Sequence, residues 1–486
     1  MTVTATVLDG TSLTCGQVAA AARGQVTVKV AEAGRQRAAA AARLAVSIAG
    51  RREVYGRTTG VGANRGLSVS PGDSAGHGLR LLRSHAGGSG QLLSAELSRA
   101  TLVVRCNQIA AGGSGVQPGV LDVLSNCINR GLSAPVPAYG AIGTGDLTAL
   151  AMTALCLLGE RDWVPRGSDP PRFALAPADA LAFISSNAAT LGESAIACHD
   201  LAVLLRAAVV IAALSHLAVS ASTEPYAAAV HRARPHRGQA AVAALLRALL
   251  GEAGASDRVQ DPYGYRALPQ VHGPALDAVE RAELTVTSEL NAAAENPLID
   301  VAGQAVWHNG NFHTAYVGLA LDGVRAALFQ TAALSAARLG TLVEPHFTGL
   351  PAFLATDPPP SSGIMILEYV SHSAIADIRR LAAPAALGSA VLSRGMEEHA
   401  GFSTQSARAT TDVTAAYQVV LACELVGAVR ALLMRGASPA RAGLAAALDL
   451  AAGALPRQTA DRALDLDLAA AQQLLPRLAA LAAYPG

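Results

Sequence analysis

Hydrophobic and polar residues follow two different patterns along the chain. Residues 1–30 contain two short alternating runs, VTATVLDG and QVTVKV, of the kind that forms half-buried strands, with a capped helix start at 14–22 between them. From about residue 78 onward, long runs rich in alanine and leucine alternate with short breaks marked by glycine or proline. This pattern predicts a mainly α-helical fold with a small mixed N-terminal region.

Most of the predicted helices are long. The run 201–222 is apolar enough to be considered as a membrane span, but Arg206 and His216 interrupt it, so we interpret it as a helix buried on all sides and expect no membrane. We expect the proline-rich stretch 161–177 to be a loop. We also expect Asp146 to cap the helix that begins directly after it, 147–159. Helices are predicted over 31–49, 121–129, 147–159, 178–222, 239–251, 274–294, 311–340, 362–385, 404–436 and 438–478.

Composition excludes several classes of protein. Of the 486 residues, 51% are hydrophobic and only 15% are charged, which excludes a disordered chain. The 37 basic and 36 acidic residues nearly cancel and no basic block occurs, so nucleic acid is not an expected partner. Lys29 is the only lysine, which argues against a pyridoxal-phosphate Schiff base and against a phosphate-binding P-loop.

Cysteine and histidine usage bears on the compartment and on metals. The six cysteines are scattered without a CxxC pair, and the N-terminus has no basic region followed by an apolar core. We therefore expect reduced, buried thiols and a cytoplasmic protein. No HExxH motif or Cys/His cluster is present, so no metal site is expected.

Polar and glycine-rich motifs occur between the helices in a fixed order. They are Tyr55-Gly56-x-Thr58-Thr59-Gly60-x-Gly62, Ser84-His85-Ala86, 140–147 (GAIGTGDL), 234–239 (RPHRGQ), Gln260-Asp261-Pro262-Tyr263-x-x-Arg266, 289–298 (ELNAAAENPL), Gly310-Asn311-Phe312-His313, 350–354 (LPAFL) and Glu397-Glu398-His399. The ordered set, over about 8–435, resembles the aromatic amino acid ammonia-lyase/aminomutase superfamily, and its histidine ammonia-lyase branch in particular.

The resemblance implies a fold, an assembly and a reaction. It implies a histidine/phenylalanine ammonia-lyase-like helical fold, with a lid and prosthetic-group loop in 1–200 and a long central helix bundle and C-terminal helical region in 201–486. It implies a homotetramer whose active sites combine loops from three subunits and act on a small amino-acid substrate. Members of the superfamily use a methylidene-imidazolone (MIO) electrophile, which forms from an internal Ala-Ser-Gly and lies at helix N-termini, where backbone dipoles favour negative charge.

Specific residues match functional positions of the superfamily. Tyr55 matches the catalytic base on the lid, Tyr263 the second tyrosine, and Glu397 a carboxylate that contacts the substrate. Arg266 matches the residue that binds the substrate carboxylate, for which its planar guanidinium is suited. The resemblance places four further candidate substrate-binding positions: His85, Phe312, Asn311 and Met396.

The chain departs from the superfamily where the electrophile would form. Members typically read Gly-x-x-x-Ala-Ser-Gly-Asp-Leu, whereas this chain reads GAIGTGDL, one residue shorter, with Gly143-Thr144-Gly145 in place of the triad. A β-branched Thr144 could replace the serine only as an ethylidene variant. Two nearby positions also differ: the usual Asn-Gly-Thr reads Ser185-Ser186-Asn187, which leaves open whether Ser185 or Asn187 faces the pocket, and Met396 replaces a glutamine.

These departures lead to three hypotheses. The first is an enzyme of specialised metabolism that works without MIO and uses Tyr55 to abstract a proton from a small amino-acid-like or carboxylated substrate. Its reaction would be an elimination, addition, isomerisation or cyclisation. The second is a genuine ammonia-lyase or aminomutase with an atypical group from Gly143-Thr144-Gly145. The third is a catalytically silent paralogue that binds a ligand or assembles with an active lyase. Under the first hypothesis no cofactor is expected.

Overall fold

The computed structural model describes residues 5–167, 171–252, 254, 256–356 and 360–482. The chain forms two compact units that are discontinuous in sequence. Unit 1 comprises 1–199, 282–321 and 384–408, and unit 2 comprises 200–281, 322–383 and 409–486. One division falls after His199, next to the sequence-based boundary at 200, but each unit also takes later segments of the chain.

Helices dominate the described residues, as the sequence predicts. In chain order they are α1 (Cys15–Ala22), α2 (Glu32–Ala49), α3 (Ser74–His85), α4 (Ala95–Ala111), α5 (Gly119–Asn129), α6 (Leu147–Leu157), α7 (Ala180–Ile184), α8 (Ala188–Ala218), α9 (Ala228–Ala233), α10 (Arg237–Leu250), α11 (Tyr263–Arg266), α12 (Leu268–Leu290), α13 (Ala315–Leu342), α14 (Pro345–Thr348), α15 (Ile366–Leu381), α16 (Ser403–Arg435), α17 (Ala442–Ala454) and α18 (Asp465–Ala480).

Three two-stranded sheets occur among the described residues, all in unit 1. Parallel strands β1 (Ala5–Leu8) and β2 (Thr27–Val30) pair near the N-terminus, in the region where alternation predicts strands. The antiparallel pairs are β3 (Ser89–Leu92) with β4 (Pro137–Tyr139) and β5 (Leu298–Asp300) with β6 (Ala305–Trp307).

Two predicted helices are each interrupted in the structure. The predicted helix 178–222 breaks at 185–187 into α7 and α8, because polar side chains there bond to the backbone; the Ser186 hydroxyl accepts the N–H of Ala188 at 3.0 Å. The predicted helix 438–478 becomes α17 and α18, separated by 455–464, which contains Pro456 and several polar residues.

A small apolar core supports the loops that follow α2. Ala41, Ala45 and Ile48 lie one helical turn apart on one face of α2, and they pack against Val54 and strand residues Ile299 and Val306. Since Tyr55 directly follows Val54, and 308–313 follow β6, this core holds the starts of two loops of unit 1.

Apolar helices are packed inside the protein to different extents. Within the described residues, Pro177–Ala218, Ala315–Leu342 and Ser403–Arg435 are long and apolar enough to cross a membrane by length and composition alone. In the most apolar part of each, 78%, 50% and 78% of the residues are buried, respectively. In each of the three helices, at least half of the residues in this part therefore pack against protein.

The core of unit 2 contains a buried ion pair. Arg338 on α13 and Glu424 on α16 are almost fully buried, and both carboxylate oxygens accept guanidinium N–H groups, at 2.6 and 2.7 Å. Ser215 and Ser335 donate to the remaining lone pairs of Glu424, so that the charge is fully hydrogen-bonded.

Candidate active site

A cavity of about 680 Å³ opens in unit 1 between four loops. It is lined by eight of the residues that the sequence singles out and by residues that sequence reasoning missed. The eight are Tyr55, His85, Thr144, Gly145, Ser185, Phe312, Met396 and Glu397.

The lid loop that carries Tyr55 is anchored at its base. Arg57 is buried and forms an ion pair with Asp179 at 3.0 Å, and its other end donates to Gly115 O at 2.7 Å. Gly56 has a φ of +67°, and a Cβ there would overlap Leu181, which explains glycine at this position. These contacts therefore fix the position of the backbone at the start of the lid loop, next to Tyr55.

The Tyr55 phenol points into the cavity and accepts a backbone hydrogen bond. Gly62 N donates to Tyr55 Oη at 2.7 Å, and Tyr55 N donates to His308 Nε2 at 3.2 Å. Burial raises the pKa of Tyr55 above its ordinary value near 10, and the negative charge of Glu397 raises it further, while the Gly62 N–H and Arg65 act in the opposite direction. The surroundings of Tyr55 therefore favour the protonated phenol over the phenolate.

The loop 140–147 is held at the N-termini of four helices. The loop leads directly into α6, and residues just before α8, α13 and α16 contact it, so that the positive ends of these four helices meet around it. The contacts are Ile142 O with Phe402 N at 2.8 Å, Gly143 O with Thr314 N at 3.2 Å and Thr314 Oγ1 at 2.9 Å, and Gly145 N with Asn187 Oδ1 at 2.9 Å.

Asp146 does not cap α6, contrary to the sequence-based expectation. It occupies the N-cap position of α6, but its carboxylate makes no hydrogen bond to that helix. Instead it accepts Thr190 N at 2.7 Å and Thr190 Oγ1 at 2.9 Å, in the first turn of α8. Complete burial raises the pKa of Asp146 to about 6 despite these hydrogen bonds.

The Gly143 backbone leaves no room for a side chain. Gly143 has a φ of +90° and Gly145 a φ of +119°, both in the region that favours glycine. A Cβ on Gly143 would lie 2.7 Å from Ser403 Oγ and 2.8 Å from Ser403 N. The position before Thr144 therefore cannot hold an alanine without moving the start of α16.

Ser185 and Asn187 have different roles in the structure. Ser185 lines the cavity, whereas Asn187 is buried behind it. Besides accepting from Gly145 N, Asn187 donates from Nδ2 to Phe312 O at 2.6 Å. Asn187 thus joins the loop 140–147 to the segment that carries Phe312, and Ser185 is the one of the two that faces the pocket.

His85 ends α3 at the cavity wall. Its Nδ1 lies 2.9 Å from Leu81 O, an acceptor only, so Nδ1 carries the proton in the neutral ring. Nε2 is then the ring nitrogen that can accept a hydrogen bond from a ligand in the cavity.

The segment 391–399 closes the cavity from the remaining side and carries Met396 and Glu397. Glu397 is exposed, and its backbone pairs with Leu392 across a short turn. Ser393 Oγ accepts Ala63 N from the lid at 2.9 Å. At the end of the segment, His399 Nδ1 lies 2.9 Å from His313 Nε2.

Five predicted site residues do not line this cavity: Gly143 and Asn187, described above, and Asn311, Tyr263 and Arg266. Asn311 is exposed and donates its N–H to Asn309 Oδ1 at 2.8 Å. Tyr263 and Arg266 belong to α11 in unit 2, where the Arg266 guanidinium stacks on the exposed Tyr263 ring at 4.4 Å. No hydrogen-bond partner of the buried Arg266 Nε lies among the described residues.

Sequence reasoning missed other residues that line the cavity. His308 follows β6 and immediately precedes the Asn309–His313 stretch, and this proximity was the available signal. Ser393 and Arg65 also line the cavity, as does Asn296, which lies in the motif 289–298 but was not predicted as a site residue. Nothing in their sequence context marks Ser393 or Arg65, because their approach depends on how distant loops fold together.

Comparisons with known proteins agree on one family. The profile of the family described as Aromatic amino acid lyase matches residues 13–452. A histidine ammonia-lyase from Sorangium cellulosum is 36% identical over 491 residues, which cover 95% of each chain.

Solved structures show the same similarity. A histidine ammonia-lyase from Trypanosoma cruzi superposes with a TM-score of 0.90 at 29% identity, covering 98% of this chain and 94% of the other. A tyrosine aminomutase from Streptomyces globisporus gives a TM-score of 0.91 at 27% identity, covering 98% and 97%. With its family profile, its relatives and its helical architecture, the chain belongs to the aromatic amino acid lyase family.

Proposed function

We propose that this family member is an enzyme that works without an MIO group, on a small amino-acid-like or carboxylated substrate. The reaction would be an elimination, addition, isomerisation or cyclisation that begins with removal of a proton by Tyr55. The observation that carries the proposal is the loop Gly143-Thr144-Gly145, in which the first position has no space for a Cβ and the second is a threonine.

The residues present do not fit the MIO group of the family. The family triad begins with alanine, whereas a methyl group on Gly143 would collide with Ser403. The middle residue would have to lose water from a β-branched side chain, and the extra methyl of Thr144 would stand on the carbon that the substrate amine must reach. No step of the proposed reaction uses this group.

Tyr55 and Glu397 are the groups that move or hold the proton. Tyr55 acts as the base only after its own phenolic proton has passed to solvent. In an elimination, the resulting phenolate Oη takes the proton from a substrate carbon, the electron pair of the broken C–H bond forms the new C=C bond, and the leaving group departs with its own pair. A neutral phenol is a weak base, and the negative Glu397 makes its deprotonation harder. This favours substrates with an acidified proton or a leaving group better than ammonia. A positively charged substrate group beside Glu397 would offset its effect on Tyr55.

The remaining substrate contacts would come from both this chain and a second copy. His85 Nε2, Ser185, Phe312 and Met396 line the cavity and can orient the substrate. Arg266, stacked on Tyr263 with an unpartnered Nε, is the candidate for the substrate carboxylate. We propose that another subunit of a homotetramer brings this pair to the cavity, in a cytoplasmic enzyme of specialised metabolism that needs no cofactor or metal.

One observation favours a second candidate, a genuine ammonia-lyase or aminomutase with an atypical prosthetic group. Thr144 retains a β-hydroxyl, and Gly143 O accepts two hydrogen bonds from Thr314, which would stabilise negative charge on that oxygen during backbone cyclisation.

The decisive test is the mass of the purified, denatured protein together with the tryptic peptide 131–161. We expect both masses to equal those of the unmodified sequence. A loss of two waters confined to 143–145 would contradict the proposal and establish the second candidate. A histidine ammonia-lyase with an intact Ala-Ser-Gly, treated in parallel, is the positive control for detecting the modification.

A further inference from the structure

Two consecutive lid amides connect the Tyr55 phenol to the segment 391–399. Gly62 N donates to Tyr55 Oη at 2.7 Å, and the next amide, Ala63 N, donates to Ser393 Oγ at 2.9 Å. The orientation of this short stretch of backbone therefore affects both the position of the phenol and its hydrogen bond. Ser393 is the side chain that holds the stretch from outside the lid.

The contact between lid and segment is tight and conformationally demanding. Gly62 has a φ of +56°, and a Cβ there would lie 2.5 Å from Ser393 Oγ. Ser393 and Arg394 are themselves in the left-handed region, with φ values of +51° and +57°. Two consecutive non-glycine residues adopt this conformation only where their surroundings enforce it, and such strain concentrates at functional sites.

We propose that Ser393 is a positioning residue for Tyr55: its hydroxyl fixes the backbone at Gly62–Ala63 and thereby holds the phenol oxygen in the cavity. The inference rests on the proposed role of Tyr55 as the base. Ser393 acts through the lid backbone and takes no part in the proton transfer.

The base of the lid is held independently of Ser393. Gly60 N donates to Leu67 O at 2.9 Å, Val69 N donates to Thr58 O at 2.8 Å, and the Arg57 ion pair lies further down. Loss of the Ser393 hydroxyl should therefore affect Gly62 and Ala63 while the rest of the loop stays in place.

Hydrogen exchange of individual amides tests the contact without any substrate. In Ser393→Ala we expect the Ala63 amide to exchange roughly five- to tenfold faster, as for loss of one typical hydrogen bond. The amides of Gly60 and Val69 should keep their rates. Arg394→Gly is the matched control in the same segment and should leave Ala63 unchanged. Unchanged exchange at Ala63 in a folded Ser393→Ala protein would overturn the proposal.

A spectroscopic titration tests the effect on Tyr55. With 3-fluorotyrosine at position 55, the ¹⁹F resonance reports ionisation of the phenol. In Ser393→Ala we expect the midpoint to move to higher pH, because the Gly62 N–H is no longer held on the phenol oxygen. In Arg394→Gly it should not move. A midpoint that is the same in all three proteins would show that Ser393 is merely structural.

A second variant covers the case in which Ser393→Ala does not fold. Gly62→Ala disturbs the same contact from the lid, since its Cβ must push Ser393 Oγ away. It should raise the exchange rate of the Ala63 amide and move the Tyr55 midpoint to higher pH, as Ser393→Ala does. If neither change occurs, the proposal is refuted. Because these readouts need no turnover, a failure of the proposed function, seen as full activity of Tyr55→Phe, is distinguished from a failure of this inference.

Discussion

Two loops face the same cavity and are held in opposite ways. The loop 140–147 leads into α6 and is fixed by hydrogen bonds to residues just before α8, α13 and α16, and its Asp146 is fully buried. The segment 391–399 lies mostly exposed, and two of its non-glycine residues have left-handed backbone. Its side-chain contacts with other loops include Ser393 with the lid and His399 with His313.

The two kinds of loop are therefore expected to contribute differently, 140–147 to the stability of the fold and the exposed loops to the reaction. In 140–147 the Gly143 carbonyl oxygen, the Gly145 N–H and the Asp146 carboxylate have buried partners, so removal of one group leaves its partner unsatisfied inside the protein. In the lid and in 391–399, the side chains that can act on a substrate, Tyr55 and Glu397, face the cavity and contribute little to packing. We therefore expect substitutions in the first loop to change stability, and substitutions in the others to change activity.

The largest effect is expected on turnover, from Tyr55→Phe. Loss of the phenolic oxygen should lower the turnover rate by roughly 10²–10⁴-fold, which is typical for removal of a general base. Stability should change by less than about 1 kcal/mol, since one hydrogen bond from Gly62 is lost. Initial rates and denaturant unfolding measure the two quantities. Undiminished turnover would indicate that Tyr55 is not the base.

The largest effect on stability is expected from Asp146→Ala. The change leaves the N–H and hydroxyl of Thr190 without their buried acceptor and opens a small hole, which should cost about 2–4 kcal/mol. Glu397→Ala, in the exposed segment, is the matched control and should stay within about 0.5 kcal/mol of the parent protein. Urea unfolding of the two variants compares them; equal losses would remove the distinction between the loops.

The pH dependence of stability should also depend on Asp146. Its folded-state pKa of about 6 exceeds the ordinary value near 4, so the folded protein binds this proton more tightly than the unfolded chain does. The resulting stabilisation, roughly 3 kcal/mol, is complete below pH ~4 and is lost as pH rises through 6. Unfolding of the parent protein and of Asp146→Asn at several pH values measures it. The variant should lack this decline, and identical pH curves would argue against a raised pKa.

The smallest effect is expected from Arg394→Gly. A left-handed conformation costs a non-glycine residue roughly 1–2 kcal/mol, while the extra freedom of glycine in the unfolded chain costs about 0.5–1 kcal/mol. We therefore expect a net gain of about 0.5 kcal/mol, measured by urea unfolding. A loss of stability would mean that the arginine side chain makes contacts that outweigh its backbone strain.

The local sequence was a good guide to the elements and a partial guide to the site. Helical periodicity predicts α10, α13 and α16 to within a few residues, because each carries a long apolar surface. The break at 185–187 was missed because its cause is side chains bonding to backbone, which periodicity does not register. The motifs led to eight of the residues that line the cavity, Tyr55 and Glu397 among them.

The sequence by itself determined the helical architecture, the family and the unusual Gly143-Thr144-Gly145, since these follow from periodicity, ordered motifs and residue identity. Only the tertiary structure decided that Asp146 serves α8, that Ser185 and not Asn187 faces the cavity, and that Ser393 meets the lid. These hydrogen bonds join residues 42 to 330 positions apart. Their partners are chosen by how helices and loops pack in space, which no local pattern along the chain encodes.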